Sequence, residues 1–197
     1  MTERDPSQYL FWLASRSAGI VAFLLVSTSV VLGLYMAANL GRRPGYKRVL
    51  VKVHEQVAIA ALVAMAAHGL LLLGDRWLSP GLTGIAIPFT MAYRPLWTGV
   101  GILAAYLAFA LGLTFYARRR IGAARWRKTH RLIALVYVMG AAHALGAGSD
   151  GGGIWLRETV AVTALPIAGL LLARYRPRRR AAPARAAPRR DVAQVSR

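Results

Sequence analysis

The chain contains no cysteine, which removes disulfides, iron–sulfur clusters and thiolate-bound zinc from the chemistry open to it. It is poor in acids as well: seven Asp and Glu stand against 26 Lys and Arg, for a net charge of +19. No Gly-rich nucleotide loop is present. The opening residues Met1–Gln8 mix charges without a basic region ahead of a small-residue cleavage site, so no cleavable signal peptide is expected.

What remains is apolar. Hydrophobic residues fill 56% of 197 positions and charged residues only 17%, well away from a soluble domain. Five stretches reach the roughly 20 residues needed to cross a bilayer: about Ser17–Leu40, after an aromatic lead-in of Tyr9, Phe11 and Trp12, then Val49–Gly74, Leu96–Tyr116, Trp126–Leu145 and Trp155–Ala173. Pro166 should kink the last of these. Leu78–Pro95 is apolar but punctuated by Pro80, Gly81, Gly84, Pro88 and Pro95, which reads as an interfacial loop. The expected fold is an all-α membrane protein, a five-span helical bundle, or six if that interfacial segment is counted.

The basic residues orient the bundle. Arg42, Arg43, Lys47, Arg48 and Lys52 lie between spans one and two, and Arg118–Arg120, Arg125, Arg127 and Lys128 between spans three and four. Arg174, Arg176 and Arg178–Arg180 follow span five. The opposite side has little beyond Arg4, Arg76, Arg94 and Arg157, partly offset by Asp75, Asp150 and Glu158. The positive-inside bias puts the N-terminus outside and the C-terminus in the cytoplasm of a plasma membrane protein. Trp12, Trp77, Trp97, Trp126 and Trp155 sit at span ends, as an aromatic belt requires.

All four histidines fall inside apolar segments, where ionisable residues are costly and usually functional. Spans two and four run parallel in this topology. His54 and His130 lie near their cytoplasmic ends, His68 and His143 near their exterior ends. Separations of 14 and 13 residues are roughly 21 and 20 Å along a helix, so one pair of imidazoles falls in each leaflet. Around the helix the match is poorer: His54 and His68 are offset by about 40°, His130 and His143 by about 140°. Span four must therefore be bent or irregular, with Gly140 a candidate position, or its two sites are displaced around it.

Residues 20 Å apart cannot share one ion. Di-iron carboxylate sites need glutamates next to the histidines, and only Glu55 lies beside one. A proton relay would not require paired heights. Four histidines satisfied within the core are the alternative without a cofactor, and a haem-free channel or transporter follows from it. Haem fits the arrangement, because a bis-imidazole iron takes one ligand from each of two facing helices.

From Ser15-Arg16-Ser17-Ala18-Gly19 to His143-Ala144-Leu145-Gly146-Ala147-Gly148-Ser149-Asp150, about two thirds of the chain resembles the ferric reductase-like transmembrane domain. That family includes ferric-chelate reductases, NADPH oxidases and the haem-binding membrane subunit of the bacterial methionine sulfoxide reductase system. The most specific elements are the unequal histidine spacings, which family members share, and Tyr93-Arg94-Pro95-Leu96-Trp97. The resemblance implies two b haems, the inner on His54 and His130, the outer on His68 and His143. Long members continue into a cytoplasmic flavin and nicotinamide domain. Here residues 1–174 would form the haem domain and 175–197 a disordered basic cytoplasmic tail, so flavin would enter only through a partner.

Haem carboxylates need cations. Lys52, Arg127, Lys128 and Arg131 flank the inner site, where ordinary positive-inside residues are expected. Arg16 and Arg94 stand out as cofactor-binding candidates for the outer haem, because positive charge is scarce on that side, which Arg76 shares. Asp75 and Asp150 each follow an outer histidine by seven residues; they would either attract a cationic acceptor or serve as plain loop acids. Gly69, Gly140 and Gly146 would admit a flat macrocycle or simply pack helices. The function expected is an oxidoreductase or oxidoreductase subunit that passes electrons outward from a cytoplasmic flavoprotein or quinol to an extracytoplasmic acceptor such as ferric chelate or oxygen. The alternative is a haem-bearing membrane anchor that relays electrons to an exported redox enzyme. The expected surroundings are the lipid bilayer and these redox partners, with no nucleic acid.

Overall fold

In a computed structural model of the chain, residues 9–38, 40 and 45–175 are described. Met1–Gln8, Arg42, Arg43 and the basic tail from residue 176 onward lie outside the described residues. The described residues form helices and no strand. In order these are α1 (Leu10–Ala37), α2 (Tyr46–Leu71), α3 (Gly81–Ala86), α4 (Pro95–Tyr116), α5 (Arg118–Ile121), α6 (Ala123–His130), α7 (Ile133–Ala147) and α8 (Ile154–Tyr175). A single 3₁₀ turn, Leu72–Gly74, extends α2.

Five of these segments are long and apolar enough to cross a membrane, with α6 and α7 together making the fourth. The protein is a multi-pass helical bundle. Large apolar side chains face outward along it, Val63 at 64% exposure, Leu113 at 67% and Leu165 at 72%, as lipid-facing positions do. The first span begins earlier than its hydropathy suggested. Tyr9 caps it and Phe11 and Trp12 belong to it, because no helix breaker separates them from the apolar run. The loop between α2 and α4 holds the short helix α3 between its prolines. α8 runs from Ile154 to Tyr175 with Pro166 inside it.

The packing order decides where a site can form. α1 packs along α2, α2 meets α4, α4 packs along α7, and α7 closes back on α1, while α8 lies against α1 and α7. α2 and α7 thus face each other across the ring with α1 and α4 on either side. At the level of the shared core, Val30, Leu111 and Val136 are almost fully buried and come from three of these helices. Tyr137 donates to the Val160 carbonyl and pairs with Thr163, tying α7 to α8.

Span four is irregular at Arg131–Leu132, between α6 and α7, and not at Gly140. There Leu132 N–H reaches Thr129 O (3.0 Å), Ala134 N–H reaches Arg131 O (3.3 Å) and Leu135 N–H reaches Leu132 O (2.9 Å). These are three-residue turns, tighter than an α-helix. About four residues advancing by about 120° rather than about 100° reduce the offset of His130 and His143 from about 140° to roughly 60°. That is close to the offset within α2, and it resolves the mismatch of the 13-residue spacing.

Candidate functional site

The four histidines come together in two pairs across the ring. His54 of α2 and His130 of α6 have ring centres 6.2 Å apart with planes at 89°. His68 of α2 and His143 of α7 have ring centres 6.1 Å apart with planes at 72°. Among the described residues no cluster of three or more His, Cys, Asp or Glu could hold a metal ion; the imidazoles stand in twos.

At the His68–His143 end both rings are held by main-chain carbonyls. His68 Nδ1–H donates to Ser15 O (2.8 Å), and the buried Ser15 hydroxyl donates to His68 O (2.9 Å). His143 Nδ1–H donates to Trp97 O (2.9 Å). This selects the tautomer that leaves Nε2 of each ring unprotonated and free to bind. At the other end His54 Nδ1 lies 3.3 Å from Ser29 Oγ, while His130 Nδ1 is buried without a partner among the described residues.

Glycines let the rings approach the neighbouring helices. A Cβ on Gly19 would stand 2.9 Å from His68 Nδ1, and one on Gly33 would stand 3.4 Å from His54 Cε1. A Cβ on Gly101 would collide with the His143 ring. None of the three was a sequence candidate, yet a signal existed. Gly19 and Gly33 on α1 are 14 residues apart, as are His54 and His68 on the antiparallel α2. Of the expected glycines, a Cβ on Gly69 would meet no described side chain within 4 Å, one on Gly140 would meet Phe23 at 4.0 Å, and one on Gly146 would run into the Trp97 ring.

The Tyr93–Trp97 segment fastens α4 to the end of α7. Pro95 opens α4, where its missing N–H costs nothing. Arg94 precedes it in the left-handed region (φ 45°) and donates from Nη1 to Gly146 O (2.7 Å), one of the last carbonyls of α7. Trp97 supplies the carbonyl for His143. Arg16 on α1 makes a two-pronged bond to Asp150, from Nε to Oδ2 (2.6 Å) and from Nη2 to Oδ1 (2.9 Å). Its guanidinium also lies over the Trp12 ring. This bond holds the Asp150 carboxyl below the usual carboxylate range, first through the hydrogen bond from Arg16 and then through its charge. Asp75 is buried, and its Oδ1 accepts from the Trp77 and Leu78 N–H groups, turning the chain out of α2.

A cavity of about 920 Å³ occupies this end of the ring. It runs from Val26, Met65 and Gly140 toward Tyr9, Trp77 and Trp155, with His68, His143, Arg16, Asp75 and Asp150 on its wall. The other end is basic. Lys47, Arg48, Lys52, Arg119, Arg120, Arg125, Arg127, Lys128 and Arg131 are exposed around the His54–His130 pair.

No curated protein and no solved structure matches the chain. The family model of the ferric reductase-like transmembrane component matches residues 18–141, a segment that contains His54, His68 and His130 and stops two residues short of His143. The helical bundle, the paired histidines inside it and this match over more than half of the sequence agree: the chain belongs to the ferric reductase-like transmembrane component family, membrane proteins of electron transfer.

Proposed function

We propose that the chain is a di-haem b-type electron-transfer protein of the plasma membrane. In this reading His54 and His130 hold the iron of an inner haem, and His68 and His143 hold that of an outer one. The observation that carries it is the shared spacing of the two pairs. Two imidazoles on opposite sides of one metal need ring centres roughly 6.2 Å apart, from bonds of about 2 Å and about 1.1 Å between a ring nitrogen and its centre. The pairs stand at 6.2 and 6.1 Å. The glycines that border the rings fit the same reading, since each keeps a neighbouring helix from crowding a ligand.

Bound haem would supply a one-electron iron couple at each end of the bundle. The residues of the chain do the rest. The carbonyls of Ser15 and Trp97 fix the outer imidazoles and raise their basicity. Val30, Leu111 and Val136 fill the core between the two ends with apolar side chains. Arg16 lines the outer cavity and gives Asp150 only two of its five donors. Among the described residues Arg16 thus retains donors for the carboxylates of an outer haem, while Arg94, the other candidate, gives one donor to Gly146 beside the cavity rather than on its wall.

The basic end faces the cytoplasm by the positive-inside rule. Its charge suits an acidic flavoprotein as electron donor, with membrane quinol as the other source of electrons. Electrons then pass outward to an acceptor such as ferric chelate or oxygen. Pyridine-haemochrome stoichiometry on purified protein tests this directly. Two haems per chain are expected, falling to one in H68A and H143A, while H54A and H130A lose the inner haem or fail to assemble. A wild type without haem, or variants that all keep two, overturns the reading.

A further inference from the structure

Three of the four imidazoles have a hydrogen-bond partner at Nδ1: the Ser15 carbonyl for His68, the Trp97 carbonyl for His143 and the Ser29 hydroxyl for His54. His130 has none among the described residues, although its Nδ1 is buried. A ligand ring without such a partner is free to turn about its own bonds unless packing stops it.

Packing does so here. Trp126 lies one turn earlier on α6, on the same face, and its ring stacks on the His130 imidazole with centres 5.0 Å apart and planes at 22°. Trp126 is itself held edge-on by Phe115 of α4, at 5.9 Å and 61°. The Arg118 guanidinium covers Phe115 from 3.8 Å. Arg118, Phe115, Trp126 and His130 form one column, braced at the basic end. The Trp126 indole N–H is buried without an acceptor among the described residues, so what this side chain offers His130 is its ring face and not a hydrogen bond.

We propose that Trp126 is a positioning residue of the inner site, setting by stacking the His130 ring plane that hydrogen bonds set for the other three histidines. The inference rests on the reading of His130 as a haem ligand. Its consequence is readable in a spectrum. The His130 ring stands at 89° to its partner His54, and near-perpendicular axial imidazoles give ferric low-spin haem a strongly anisotropic electron paramagnetic resonance signal. The signal moves toward the ordinary rhombic form when the planes rotate toward parallel.

The experiment compares oxidised wild type, W126L and W126F, each purified with its cofactor. W126L removes the stacking face, and the inner signal should lose its anisotropy or disappear while the outer signal stays unchanged. W126F keeps a ring without the N–H and should retain the wild-type inner signal. A wild type with no haem signal defeats the ligand reading itself. Two wild-type signals with an unaltered inner signal in W126L defeat the role of Trp126 alone. Should W126L lose both haems, W126F decides: an inner signal like that of the wild type supports stacking, and a changed one overturns it.

Discussion

Gly101 of α4 lies so close to the imidazole of His143 that a Cβ on it would run into the ring. The same ring donates to the carbonyl of Trp97, one turn earlier on α4. One helix face thus both admits His143 and anchors it. An alanine at this position must push the ring away from its carbonyl or force α4 and α7 apart.

The three glycines beside the histidines should therefore respond in a graded way. G101A is expected to lose the outer haem and keep the inner one. G19A, where the new Cβ would lie 2.9 Å from His68 Nδ1, should lower outer-haem occupancy less severely. G33A, at 3.4 Å from His54, should stay close to wild type. Haem content per chain measures all three, and equal losses at the three positions would contradict this steric ranking.

The Arg16–Asp150 pair ties α1 to the loop between α7 and α8. Asp150 has a depressed folded pKa, so its contribution is complete above the unfolded value of about 3.9 and is lost as pH falls through the lower folded value. Both side chains are partly exposed, at 34% and 25%, which limits the effect to no more than about 1 kcal/mol. D150N should lower the thermal unfolding midpoint in detergent slightly at neutral pH. The difference should vanish in acid, once the wild-type carboxyl is protonated as well. A difference that persists there would assign the effect to something other than the ion pair.

Orientation is tested with reporters. An enzyme active only outside the cytoplasm should work when inserted between Gly146 and Gly153 and fail when fused after Arg180. The reverse pattern would reverse the assigned direction of electron flow, because the distribution of basic residues is its support.

Electron entry gives the last test. The described residues form helices and no strand, and the sequence carries no Gly-rich nucleotide loop. NADPH alone should leave the haems of the purified 197-residue chain oxidised, while a low-potential chemical reductant, the right flavoprotein or quinol should reduce them. Absorbance in the haem α-band reports each case. Reduction by quinol and not by any flavoprotein would favour a relay subunit over a flavin-fed reductase.

Much of this was legible in the residue string. Long apolar runs, their basic borders and the depths of His54, His68, His130 and His143 depend only on hydropathy and on helical rise, which are local quantities. The role of Tyr93–Trp97 was visible as a motif but not as a mechanism, since Arg94 and Trp97 act through carbonyls, and the bond to Gly146 crosses to another helix. Gly19 and Gly33 repeat the histidine spacing, a pattern that gains meaning only once α1 is known to run antiparallel to α2.

The sequence alone determined that the chain is a membrane bundle with two levels of paired imidazoles, because burial of apolar surface and the period of the helix leave little choice. The tertiary structure decided how those imidazoles meet. It put the irregularity at Arg131–Leu132, where three-residue turns swing His130 and His143 toward one face. It set α1 and α4 as spacers between α2 and α7, and it gave each ring its own restraint: Ser15, Trp97, Ser29 or Trp126. These outcomes depend on which helices touch, and contacts between residues far apart in sequence are not written in the local chemistry of either one.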